Sequence, residues 1–309
     1  MPNKTKSDKF KIMQIKQVAL LGAGAIGILP AAEIVAAKVP LQVIASGERL
    51  QRYRQQGLYL NGNRLPLEFA APEEATAADL VIVATKTVTL ADALPQLRRA
   101  VNSNTIILPL LNGISSKAEI EKHFPEATVL YGLFIGHASG RENNQICHDG
   151  VGTLCFGMEK NEPQTPAVAA VSQLFTACGI DHKVPPDMLQ MVWQKFVINV
   201  GINQTQAYFK ADYGMVQQSR EMLKFAETLM QEAVSIAEKL NISGCDRMIA
   251  NAMELIMSIP PQAKTSMLQD VLAGRPTEVD AFAGTVIELG KKLSIPTPAN
   301  SAVALQLKK

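Results

Sequence analysis

The sequence predicts an α/β protein in two parts: an open, doubly wound sheet with antiparallel additions over residues 16–186, then an all-α domain over 187–309, behind a basic tail at 1–15. Three observations carry this expectation. Short apolar, β-branched runs alternate with helical stretches, the rhythm of a parallel sheet whose strands are buried on both faces. The first of those runs ends directly in a glycine-rich turn that opens a helix. Finally, Pro185-Pro186 stops the pattern, and no later stretch resembles a strand.

The first strand, Gln17–Leu21, runs into Gly22-Ala23-Gly24-Ala25-Ile26-Gly27, after which Ile28–Lys38 has helical composition, with Pro30 in the first turn where a missing N–H is tolerated. Strand, glycine loop, helix is the setting in which G-x-G-x-x-G binds a dinucleotide, the Rossmann-like arrangement. Gly22 permits the tight turn, Gly24 lets backbone approach the pyrophosphate, and Gly27 allows close packing of helix on strand. The alternative is a tight turn without a ligand.

Leu41–Ala45 reads as the second strand, and an acid at its tip would favour the free 2′-hydroxyl of NAD. Ser46-Gly47-Glu48-Arg49 stands there instead. Ser46 and Arg49 could hold a 2′-phosphate, which tilts the expectation to NADPH with NADH still possible; equally, Arg49 and Arg52 suit the solvent face of a helix. Asn61-Gly62 between apolar runs signals a hairpin. Asp79–Ala84 is a buried strand delivering Lys86 just past its carboxyl end, and Thr105–Leu111 repeats the pattern and delivers Asn112-Gly113. Ligands bind beyond such strand ends, so Lys86 and Asn112 are candidate cofactor contacts, set against a solvated lysine and an asparagine in a left-handed turn. Thr128–Phe134 is a further strand, Ile135–Met158 reads as antiparallel additions, Pro166–Cys178 as a helix and Ile180–Val184 as a strand.

The second domain opens with Asp187–Asn203, which reads as a helix that is apolar nearly all round. Spacings of four place Lys195, Asn199 and Asn203 along one face. Buried polar groups are costly unless satisfied, so this stripe either bonds locally or offers donors to a small oxygen-rich substrate. Arg220–Leu240 carries Met222, Phe225, Leu229, Ala233, Ile236 and Leu240 on one stripe, and Met248–Ile259 is another amphipathic helix. Ser266 and Gln269 match a capping box, and Thr277 is positioned to cap a helix whose first turn holds Glu278 and Asp280.

Composition excludes several classes. With 309 residues, 47% hydrophobic and 19% charged, the chain has material for two cores. Its formal charge of +2 hides a basic start: Lys4, Lys6, Lys9, Lys11 and Lys16 stand against Asp8 in the first sixteen residues, leaving 25 basic and 27 acidic residues elsewhere. No basic stripe interleaved with aromatics points to nucleic acid. No apolar run is long enough to span a membrane, and the start lacks a secretion signal. Cys147, Cys155, Cys178 and Cys245 form no C-x-x-C pair and the four histidines show no ligand spacing near them, so reduced thiols, a cytoplasmic location and no structural metal are expected.

Taken together, the glycine loop, the Asn112-Gly113 strand end, Trp193-x-Lys195 followed by Asn199 and Asn203, and Ser266-Met-Leu-Gln-Asp270 with Glu278 twelve residues after Ser266 resemble the ketopantoate reductases (2-dehydropantoate 2-reductases) over residues 16–307. The resemblance implies NADPH-dependent reduction of ketopantoate to pantoate. It implies Lys195 as general acid, Asn199 and Asn203 as ligands for substrate hydroxyl and carbonyl groups, Ser266 as carboxylate anchor, Asn112 and Glu278 as contacts to cofactor and substrate, Ala138 near a backbone contact to the nicotinamide half, and a homodimer by analogy. An ordinary lysine, with pKa ~10.4, is a sluggish acid at neutral pH, so burial is expected to lower Lys195 and Glu278 to limit the fall. The chain departs from the family pattern at Ser46, where arginine is usual, at Gln204, where proline is usual, and at Tyr213, where asparagine is frequent. Two rival readings stay open: a related reductase of another branched 2-oxo acid, and a dinucleotide-sensing protein without turnover.

Overall fold

The structure, a computed structural model, describes residues 13–136, 139–148 and 152–308. Ala138 and residues 1–12 of the basic tail lie outside the described residues. The chain divides into two compact units: residues up to 85 with 93–110 and 123–186, and residues 86–92 and 111–122 with 187–309. The second unit thus takes in two stretches that a single division before Asp187 assigns to the first. The cause is packing: Ile114 joins the helical core, and Thr87–Thr89 lie against residues 280–284.

Strands in chain order are β1 Val18–Leu21, β2 Leu41–Ile44, β3 Tyr59–Leu60, β4 Asn63–Arg64, β5 Glu68–Ala70, β6 Leu80–Val83, β7 Ile106–Pro109, β8 Thr128–Val129, β9 Tyr131–Ile135, β10 Ser139–Glu142, β11 Gln145–His148, β12 Thr153–Gly157 and β13 His182–Lys183. Helices over the same stretch are α1 Ile28–Ala36, α2 Gly47–Gln56, α3 Leu90–Ala93, α4 Ser116–His123 and α5 Pro166–Ala177. A parallel sheet of order β5-β2-β1-β6-β7-β8 forms the centre of the first unit. Every residue of β1, β2, β6 and β7 is buried, which is why these strands read as apolar runs rather than alternations, broken only at Gln42, whose amide bonds the Thr76 backbone. Strand order reverses between β1 and β6, so the loop after β1 sits at the switch point where such sheets bind ligands.

The Asn61-Gly62 hairpin forms as expected, with φ of 48° and 82°, the left-handed pair of a type I′ turn. It joins β3 to β4 in a second sheet of order β10-β11-β3-β4. The stretch 128–134 is two strands rather than one: β8 closes the parallel sheet, and after Leu130 the chain leaves it so that β9 pairs antiparallel with β12. The expected strand at 180–184 shortens to β13, parallel to β12.

The second unit holds α6 Met188–Ile198, a π turn Asn199–Asn203, α7 Gln204–Phe209, α8 Tyr213–Gln218, α9 Arg220–Lys239, α10 Cys245–Ser258, α11 Ser266–Leu272, a second π turn Asp280–Gly284, α12 Thr285–Leu293 and α13 Pro298–Leu307. Asp187 caps α6, accepting from Gln190 N at 3.0 Å. The expected stripe of α9 is buried at Leu229, Ala233 and Ile236, and Phe196, Val200, Phe282 and Val286 belong to the same core. Fully burying each of the larger of these side chains contributes roughly 1.5–3 kcal/mol. Leu240 lies past the end of α9 and is exposed.

Two expected caps are corrected. Thr265, not Ser266, caps α11: its backbone is extended and its hydroxyl accepts from Leu268 N at 3.3 Å, while Gln269 donates to Lys264 O. Ser266 is therefore the first helical residue and is exposed. Thr277 caps no helix, because the backbone re-enters helical geometry only at Val279 and does so through a π turn. Among the described residues no helix is long and apolar enough to cross a membrane, no cluster of His, Cys, Asp and Glu could hold a metal ion, and all four cysteines are free.

Candidate functional site

In the first unit the glycine loop is shaped by where side chains cannot go. Gly22 has φ +98°, and a Cβ there would stand 2.6 Å from the Ala84 carbonyl; one at Gly27 would stand 2.3 Å from Gly22 O. Both are demanded by the fold. Gly24 differs, since a Cβ there would meet nothing within 4 Å. The free space around Gly24, beside Ala23, Ala25 and Ile26 at the entry to α1, fits close approach of a ligand's phosphates to backbone. Arg141, which sequence reasoning missed, donates from Nη1 to Ala23 O at 2.9 Å and from Nη2 to the Tyr53 hydroxyl at 3.1 Å. Its 118-residue separation from Ala23 leaves no local signal.

At the tip of β2, Ser46 is the N-cap of α2, yet its hydroxyl makes no capping bond. Arg52 is engaged by Asn144, and Arg54 by Glu74, whose carboxyl is held below its ordinary range chiefly by the Ala71 N–H and further by Arg54. Arg49 is exposed and makes no ion pair among the described residues. Ser46 and Arg49 are thus the groups at this strand end with bonding capacity to offer a ribose or its phosphate.

In the second unit, α6 presents Lys195, half-buried, and the π turn presents Asn199 and Asn203, 9% and 7% exposed. A regular helix over 187–203 would repeat the polar face every four residues. The π turn widens the helix there, so the two asparagines depart from that strict stripe. Both α11, which carries Ser266, and the turn Asp280–Gly284, which follows Glu278, pack against this π turn. Asn112 is not a lone turn residue: its Nδ2 donates to Glu278 Oε2 at 2.9 Å, and its carbonyl accepts from Thr87 Oγ1 at 3.0 Å.

Lys86 is likewise fixed. Its Nζ donates to Asp270 Oδ2 at 3.0 Å, and the other oxygen of that nearly buried carboxylate accepts from Arg275 Nε at 2.7 Å. Asp270 and Arg275 went unread as a pair. A signal existed, because an acid toward the carboxyl end of a short helix opposes the helix dipole and asks for a cation. Tyr213 is nearly buried, and loss of hydration pushes its phenol up to about 12. The helical unit therefore assembles an ammonium, two carboxamides and a carboxamide–carboxylate pair beside elements carrying a free hydroxyl, which suits a small anionic, oxygen-rich ligand that receives a proton.

Comparison with known proteins agrees in extent. Residues 18–161 match the family described as ketopantoate reductase PanE/ApbA, and residues 187–309 its C-terminal counterpart. A 2-dehydropantoate 2-reductase of Halobacterium salinarum is 27% identical over 295 residues, covering 93% of this chain and 96% of the relative. That of Pyrococcus horikoshii is 26% identical, covering 92% and 94%. Among solved structures, the 2-dehydropantoate 2-reductase of Methylococcus capsulatus superposes with a TM-score of 0.81 at 24% identity, covering 94% of this chain and 96% of that one. D-mandelate dehydrogenase with NADH and anilino(oxo)acetate gives 0.83 at 22%, covering 94% and 97%. A dimeric ketopantoate reductase of Staphylococcus aureus gives 0.74 at 18%, also covering 94% and 97%.

Proposed function

Because this chain belongs to the ketopantoate reductase family, we propose that it reduces 2-dehydropantoate to pantoate with NADPH. The observation that carries the reading is the set Lys195, Asn199, Asn203, Ser266 and the Asn112–Glu278 pair within one unit, joined in sequence to an open glycine loop.

Gly22 to Gly27 would hold the pyrophosphate and Ser46 with Arg49 the adenosine ribose phosphate, with Lys86, Asn112 and Glu278 serving the cofactor or its neighbour. When bound, the reduced nicotinamide supplies the hydride. Negative charge then grows on the substrate's ketone oxygen, and Lys195, protonated, stabilises it and gives up its proton. Asn199 and Asn203 orient the hydroxyl and carbonyl groups, and Ser266, freed from capping by Thr265, offers its hydroxyl to the carboxylate. A cytoplasmic location and a homodimer, by analogy with the dimeric Staphylococcus aureus relative, complete the proposal; sedimentation of the purified protein tests the dimer.

The decisive assay follows loss of NADPH absorbance on adding ketopantoate, with NADH and with 2-oxoisovalerate in parallel. Rapid loss with ketopantoate and NADPH is expected, slower loss with NADH, and little with 2-oxoisovalerate, which lacks the hydroxymethyl group. Equal rates on both acids favour a broader reductase, and no turnover at all excludes the reading. The rate falls on the alkaline side as Lys195 loses its proton; a flat profile to high pH removes Lys195 as the acid.

A further inference from the structure

We propose that Gln204 is a positioning residue whose one carboxamide joins the two π turns of the helical unit and so sets where Asn199 and Asn203 stand. The inference rests on the reading above, in which those two side chains orient the substrate.

A regular α-helix pairs each N–H with the carbonyl four residues back, and a π turn reaches five back, so backbone groups at its edge are left over. In the turn Asp280–Gly284, the Gly284 N–H takes Val279 O at 3.0 Å, the carbonyl that Ala283 N–H would meet in a regular helix. Gln204 Oε1 accepts from Ala283 N instead, at 3.1 Å. In the turn Asn199–Asn203, the Gln204 N–H is directed to Gly201 O. Gln204 Nε2 then donates to Val200 O at 2.8 Å, replacing the bond its own backbone would have made. One side chain thereby satisfies a leftover group of each turn.

The carboxamide is itself anchored. Its Nε2 also donates to Asn300 Oδ1 at 2.9 Å, and Asn300 Nδ2 donates to Glu232 Oε2 at 2.7 Å. Glu232 accepts from the backbone of Ala299 and Asn300 as well, at 2.8 and 3.0 Å, so the chain ends on α9 and the first turn of α13. Gln204 and Asn300 are wholly buried. Partners this well satisfied in a dry interior leave the hub little freedom to shift. A Cβ on Gly201 would fall 2.5 Å from Met230 Cγ, so the first turn is also seated tightly against α9.

Amide hydrogen exchange on the ligand-free protein reads the link directly. In Gln204→Met, close in size but without the amide, Ala283 N–H is expected to exchange about tenfold faster or more, while amides of β7 are unchanged. Kinetics reads the consequence: substrate KM rises by about tenfold while the KM for NADPH stays within about twofold, because a small displacement of positioning groups costs only the substrate they orient. Introduced on top of Asn203→Ala, the same change adds little, as coupled neighbours do and a general loss of stability does not. Should Gln204→Met not fold, Gln204→Asn, one methylene too short to reach both turns, is expected to behave the same way. Unaltered Ala283 exchange, or substrate and cofactor KM rising together, overturns the proposal. Failure of the wild-type protein to oxidise NADPH with ketopantoate would remove the assigned reaction, and the exchange result would still decide the link.

Discussion

In the sheet unit, the loop Gly22–Gly27 offers a ligand backbone and empty space. In the helical unit, Lys195, Asn199, Asn203, Asn112 and Glu278 offer side chains, of which Asn199 and Asn203 are buried. The first kind of site needs only that atoms be absent, and β1, α1 and the Ala84 backbone enforce that by contact. The second kind needs atoms present in costly surroundings, and these are held by π turns, a carboxamide hub and the Asn112–Glu278 bond. Binding built from backbone is robust to side-chain change, whereas chemistry built from side chains depends on a network.

The sharpest test of that division is Lys195→Ala, expected to lower turnover by about 10²–10⁴ while NADPH binding, followed by fluorescence titration, stays unchanged. A parallel loss of cofactor affinity would blur the comparison. Next comes pH. An unfolded tyrosine titrates near 10, and Tyr213 in the fold near about 12. Between those values the unfolded chain has shed its proton and the folded one has not, so stability present below pH ~10 is lost as pH rises, on the order of 2 kcal/mol, and Tyr213→Phe should flatten the loss in urea titrations.

Within the glycine loop, Gly27→Ala should destabilise by about 1–3 kcal/mol, read from the denaturation midpoint, because its Cβ has nowhere to go. Gly24→Ala should leave that midpoint in place yet weaken NADPH binding by about tenfold, ~1.4 kcal/mol, by occupying the ligand's space. If both act alike on stability, the loop is a packing feature rather than a grip. The smallest effect belongs to Arg275→Ala, whose half-exposed guanidinium contributes at most about 1 kcal/mol to stability. Any larger change should appear in kinetics, through a Lys86 left with Asp270 alone.

By itself the sequence determined the doubly wound sheet, the glycine loop, the hairpin at Asn61-Gly62 and the helical second half, because each is written in local periodicity or in a residue whose backbone freedom is special. It also placed Lys195 on a helix, α6, whereas Asn199 and Asn203 fall in a π turn and Glu278 just ahead of the next one. Only the tertiary structure decided that Thr265 rather than Ser266 caps α11, that Asn112 meets Glu278 166 residues away, and that Lys86 and Arg275 share Asp270. Both π turns were likewise invisible. A π turn is locally less favourable than the α-helix its residues would otherwise form, and it persists because the leftover groups find partners from distant elements, here the carboxamide of Gln204. Periodicity reports what a segment prefers alone; long-range bonds between buried groups decide where it yields.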